Sequence, residues 1–145
     1  MPAARILGCI LGIPIYFAGK WLTRAANVHR VEQRLSPELT ARLAPLFPHL
    51  DLTRVRLKDH ANLPVLPRYN GIAFGYRLYF RHTFNENDAR SLRVLVHELV
   101  HADQVRRLGG EVAFACAYFA GHFVAGYDGN PLEEEAREFV REHPI

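Results

Sequence analysis

Cysteine and lysine are nearly missing from this chain. Only Cys9 and Cys116 occur in 145 residues, in separate apolar segments. Neither a disulfide framework nor a cysteine-rich zinc site is suggested, and the redox compartment stays open. Lys20 and Lys58 are the only lysines, the arginines are scattered without a tight cluster, and the net charge is +3. That distribution excludes a nucleic-acid footprint. The longest uncharged apolar stretches, Ile6 to Gly19 with 14 residues and Val112 to Tyr127 with 16, are short for a membrane span. Internal repeats and low-complexity tracts are also lacking. What is present, 49% hydrophobic and 23% charged residues, is enough for one globular core.

The sharpest feature is His97-Glu98-Leu99-Val100-His101, an HExxH motif inside a strongly helical stretch. Residues four apart on a helix lie about 40° apart around the axis, one turn from each other. His97 and His101 can therefore aim at one metal ion. Glu98, about 60° round from His101, can reach a water on that ion without ligating it. Two neutral nitrogen ligands, one general base and an open position are what zinc-activated hydrolysis needs. The plain alternative is a surface helix with two histidines and a solvated glutamate. Leu92, Val94, Leu95, Val96 and Leu99 argue against it, because a helix apolar nearly all round is buried, and buried His and Glu need partners.

A catalytic zinc takes three protein ligands, so a third is expected downstream, from His122, Asp128, Glu133, Glu134, Glu135, Glu138 or His143. Asn130-Pro131 followed by three acids starts a helix, with Asn as N-cap and Pro at the first helical position. The acids could serve only the capping box and the helix dipole. Yet Leu132, Ala136, Phe139 and Val140 mark a buried stripe, and a carboxylate beside it, as Glu133 is, can point inward. The spacing leaves the ligand open within the trio.

HELVH followed some thirty residues later by a helical Glu-x-x-Ala resembles the gluzincin branch of zinc metallopeptidases. The segment Ala73 to Phe80 is similar to the strand that precedes the metal helix in the minigluzincins, and Gln104, three after the second histidine, fits them too. The likeness covers roughly residues 55 to 142. It implies an α+β, zincin-like fold: a short β-sheet on a long HExxH helix and two C-terminal helices, behind an apolar N-terminal helix. It also implies zinc held by His97, His101 and Glu133, with Glu98 as general base for peptide-bond hydrolysis. Many relatives carry aspartate after that alanine, where this chain has Arg137.

Tyr118, His122, Tyr127 and Arg137 are candidate donors to the developing oxyanion, and His122 could otherwise be a fourth ligand or a plain core histidine. The strand at residues 72–80 offers an edge for an extended peptide or protein substrate. Two other readings are kept: a non-catalytic zinc module that staples a small fold, and a latent protease whose first thirty residues occupy the cleft.

Residues 1–30 are expected as a distinct apolar segment and 31–145 as the metallopeptidase domain. A cleaved signal is disfavoured for want of a small-x-small site, except around Arg24-Ala25-Ala26, and Ile6-Leu7-Gly8-Cys9 has too little apolar sequence before it for a lipobox. Ile6 to Gly19 could associate with a membrane, which leaves cytoplasmic and membrane-associated localisation both open; Pro14 should kink or start a helix there. Ser36-Pro37 starts a helix to about Leu46, Leu52 to Leu57 reads as a strand, and Leu63 to Pro67 cannot be regular. Gly71 to Arg81 reads as a strand or a hairpin about Gly75. Asn85, Asn87 or Asp88 caps the metal helix, which ends at Gly109-Gly110, and Val112 to Tyr127 reads as a core helix.

Overall fold

Short polar signals start most helices in the computed structural model, which describes residues 2–64 and 69–145. The order is α1 (Pro2–Ala26), α2 (Pro37–Leu43), β1 (Arg56–Lys58), β2 (Gly71–Phe74), β3 (Arg77–Phe80), α3 (Ala89–Leu108), α4 (Glu111–Ala125) and α5 (Pro131–Glu142). The fold is α+β. Ser36 Oγ accepts the Leu39 amide to cap α2, Asp88 accepts from Ser91 to cap α3, and Asn130 accepts from Leu132 to cap α5. Each cap satisfies an amide that the helix leaves without a partner. Gly109 and Gly110, at φ +94 and +127, stop α3 and turn the chain through 113° into α4.

The sheet has the order β1-β3-β2, with β1 parallel and β2 antiparallel to β3. The hairpin about Gly75, at φ +61, is as expected. Leu52 to Leu57 is not one strand. Asp51 Oδ1 accepts the Thr53 amide and curls Leu52–Arg54 into a 3-10 turn, leaving only Arg56–Lys58 to pair. Leu52, Val55 and Leu57 are all buried, which a strand alternating over 52–57 would not place on one face and the turn does. The irregular stretch expected at Leu63 to Pro67 lies, from Val65 onward, outside the described residues.

Helix α3 runs between two apolar clusters. On one side lie Leu39, Leu43, Val55, Leu57, Leu78, Leu95 and Leu99; on the other lie Tyr16, Leu63, Phe74, Tyr79 and Phe114. β2 packs on α3 so closely that a Cβ on Gly71 would stand 2.9 Å from Val94 and 3.1 Å from Glu98 Oε1. Here glycine is required by contact with the HExxH segment.

The N-terminal helix differs from its expectation in three ways. It does not start at Pro14 but runs through it, and Pro14 is exposed. It has 25 residues, so it is long and apolar enough to cross a membrane although its uncharged core is not. And Cys9 forms a disulfide with Cys116, which the separate apolar segments had not suggested. The reason is close helix packing: a Cβ on Gly8 would come 2.5 Å from the Cys116 carbonyl oxygen, and one on Gly12 would come 2.7 Å from Phe119. Further along, Lys20 bridges Glu111 at the start of α4 at 2.6 Å. Fully buried Asn27 ties the end of α1 to the Asn62 backbone through two hydrogen bonds.

Candidate metal centre

Helix α3 presents His97 and His101 one turn apart on the face met by α5, and α5 brings Glu133 to them from its first turn. Glu133 Oε2 lies 3.0 Å from His97 Nε2, and Glu133 Oε1 lies 3.5 Å from His101 Nε2. The two imidazole Nε2 atoms are 3.1 Å apart. Zinc bonds of about 2.0–2.1 Å in a tetrahedral shell set neighbouring donor atoms about 3.3 Å apart. The three donors thus have the separations and the chemistry, two imidazoles and a carboxylate, that such an ion requires. Among the described residues they are the group able to hold a metal.

Supporting residues hold this set in place. His101 Nδ1 meets Gln104 Oε1 at 2.8 Å, which leaves Nε2 aimed at the centre. Gln104, wholly buried, donates through Nε2 to the Leu132 carbonyl and to Glu135. One side chain therefore orients a ligand and locks α5 against α3, as supporting partners of metal ligands do. Tyr118 donates to Glu133 Oε1 at 2.6 Å, and Tyr69 lines the same hollow as Tyr118.

Electrostatics reflect that crowding. Burial acts to raise the Glu133 pKa, but hydrogen bonds from His101, His97 and Tyr118 hold it well below the usual carboxylate range. Burial pulls His101 down, yet Glu133 and Glu98 outweigh it and lift the imidazole to about 9 without a metal. Burial pushes Glu98 up against the opposing pull of His101 and His97. Glu98 accepts from the Ala73 backbone, while its Oε2 is buried with no hydrogen-bond partner. An unpaired carboxylate oxygen beside the donor set is where a water or substrate proton can be received.

Of the acidic trio, only Glu133 reaches the histidines. Glu134 is exposed and pairs with Arg137 and Arg141; Glu135 pairs with Arg107 and Gln104. His143 bonds the Phe139 carbonyl and stacks on that ring, away from the centre. Tyr118, one of the expected oxyanion donors, has its hydroxyl committed to Glu133. Arg137 donates to Asp128 and Glu134, and its guanidinium lies 5.8 Å from the Tyr127 ring centre. His122 lines a cavity beside the centre but is not in the donor set. Tyr69 was not foreseen; it sits beyond a proline-rich stretch whose sequence carries no signal for the site.

Two hollows flank the centre. One, between α1, α4 and β2, reaches His101 and Glu133; the other reaches His97 and is bordered by Arg93, Arg137 and Arg141. The chain matches no protein-family model, no curated protein and no solved structure.

Proposed function

We propose that this chain is a zinc-dependent metallopeptidase of the gluzincin type. The observation that carries the reading is the convergence of His97, His101 and Glu133 at 3.0–3.5 Å, the edge lengths of a zinc shell. A bound zinc supplies a Lewis acid that lowers the pKa of a water towards about 7 and polarises a substrate carbonyl. Glu98 would then take a proton from the attacking water on Oε2 and pass it to the leaving amine. Gln104 and Tyr118 keep two of the ligands oriented. β2, at the sheet edge beside α3, offers backbone groups to an extended peptide, and the hollows on either side receive its side chains.

The test is metal content by mass spectrometry on purified protein, with His97→Ala alongside, followed by peptide cleavage with Glu98→Gln. About one zinc per chain, lost in His97→Ala, is expected. Glu98→Gln should keep the zinc and lose hydrolysis by on the order of 10³-fold. Retained zinc without cleavage by the unaltered chain favours the non-catalytic module. No zinc, even after reconstitution, ends the metal reading.

We also propose that α1 lies against a lipid surface. It buries Gly8, Gly12, Tyr16 and Thr23 and exposes Ile6, Leu7, Ile10, Leu11, Leu22 and Trp21, the last at 73%. Small residues inward and large apolar ones outward is how helices pack in lipid. Flotation with phosphatidylcholine–phosphatidylglycerol vesicles tests this; full-length protein that stays at the bottom of the gradient removes it.

A further inference from the structure

Away from the donor set, an open hollow of about 520 Å³ lies between the end of α1, the β2–β3 hairpin and the junction of α3 with α4. Its wall carries Lys20, Arg24, Arg54, Arg77 and Arg106 against one acid, Glu111, and none of the three metal donors lines it. These cations are far apart in sequence and are gathered only by the fold. Three of them are neutralised by carboxylates: Lys20 by Glu111 at 2.6 Å, Arg77 by Glu32 at 3.1 Å and Arg106 by Asp103 at 3.0 Å. Arg24 and Arg54 form no ion pair among the described residues. Arg54 is nonetheless held in place, its guanidinium 4.3 Å from the centre of the Tyr76 ring. Stacking on a ring leaves the N–H donors in the guanidinium plane for another acceptor. Arg24 follows Lys20 by one turn on the same side of α1. Cations gathered in a concave wall without matching acids focus a positive potential there.

We propose that this hollow binds a phosphate group, with Arg24 and Arg54 as its principal donors. A phosphate accepts paired hydrogen bonds in the forked geometry that a guanidinium offers. Two sources present that chemistry: the headgroup of an anionic lipid and a soluble phosphate compound. Position favours the lipid. Lys20 and Arg24 flank Trp21, which is 73% exposed near the end of α1, and a tryptophan near the end of an apolar helix marks the level of lipid headgroups. Basic clusters at that depth bind anionic headgroups. Only this choice of source rests on the lipid reading of α1; the site itself depends neither on it nor on the metal.

Two arms test the site on full-length protein at one fixed ionic strength. In the first, inorganic phosphate is titrated calorimetrically. In the second, the protein is floated with vesicles of phosphatidylcholine, alone or mixed with phosphatidic acid. Arg24→Gln combined with Arg54→Gln should weaken binding by at least about tenfold in whichever arm responds. Arg34→Gln combined with Arg42→Gln removes the same charge from exposed arginines outside the hollow and should change binding less than about twofold. Arg24→Lys combined with Arg54→Lys keeps the charge and should retain part of the binding, which a folding defect would not allow. Arginine-dependent flotation with phosphatidic acid supports the site and assigns it to a lipid headgroup. Arginine-dependent binding of inorganic phosphate without flotation supports the site, assigns it to a soluble compound and removes the lipid source. No binding in either arm, equal binding by the unaltered chain and the Arg24–Arg54 glutamine variant, or an equal loss in the Arg34–Arg42 variant overturns the proposal.

Discussion

Helices α3 and α5 meet around polar groups, whereas α1 and α4 meet around two glycines, a disulfide and the Tyr16–Phe114 ring contact. Between α3 and α5, Gln104 and Glu133 are essentially sealed from solvent, and each spends its polar atoms on named partners. Between α1 and α4, Gly8 and Gly12 let two backbones approach, and most bulky residues of α1, Tyr16 apart, face outward. The first interface needs fixed geometry because a half-satisfied buried polar network is costly. The second gains from close van der Waals contact and leaves most large apolar residues of α1 exposed. One small chain thus combines an interface of satisfied polar groups, which builds the site, with an interface of close-packed glycines.

The contrast breaks most visibly at Gly8. Gly8→Leu forces a side chain into the Cys116 backbone and should lower unfolding free energy by about 3 kcal/mol, the upper range for overpacking. Chemical denaturation measures it; an unchanged midpoint would mean that α1 does not pack there. Gln104→Ala probes the polar interface and should weaken zinc binding by about 10–100-fold, read by competition with a chelator. A smaller loss would leave His101 oriented without Gln104.

A third effect depends on pH and on metal. In the metal-free protein the His101 pKa is raised from 6.5 to about 9. The stabilisation linked to its proton is complete below about 6.5 and is lost as pH rises through about 9. Melting temperature of the chelator-treated protein should therefore fall across that window. The zinc-loaded protein should show no such fall, because its imidazole ligand carries no proton there. Parallel curves for the two forms would argue against His101 as a ligand. The smallest expected change is Ile10→Gln on the 64% exposed outer side of α1: within about 0.5 kcal/mol in stability, yet with weaker vesicle binding. Marked destabilisation would show that this side is covered by protein.

Several features were legible because their signals are local. Ser36-Pro37, Asp88, Asn130-Pro131 and Gly109-Gly110 mark helix ends within a few residues, and all lie where those ends occur. The HExxH spacing places two imidazoles on one helical face by geometry alone. The turn at Leu52–Arg54 was not legible because Val55 and Leu57 alone carry a strand-like alternation, and the Asp51 hydrogen bond that turns the chain before them is a weak local signal.

The sequence by itself determined the starts of α2 and α5, the end of α3 and the two-histidine, one-glutamate motif, since each depends on interactions within a few residues. Tertiary structure decided which glutamate joins the histidines, that Tyr118 serves Glu133, that Cys9 pairs with Cys116, and that α1 turns its large residues outward. Those outcomes depend on how α5 and α1 sit against α3 and α4. Contacts between residues 15 to 107 positions apart are set by packing of whole faces, which no short window of sequence contains.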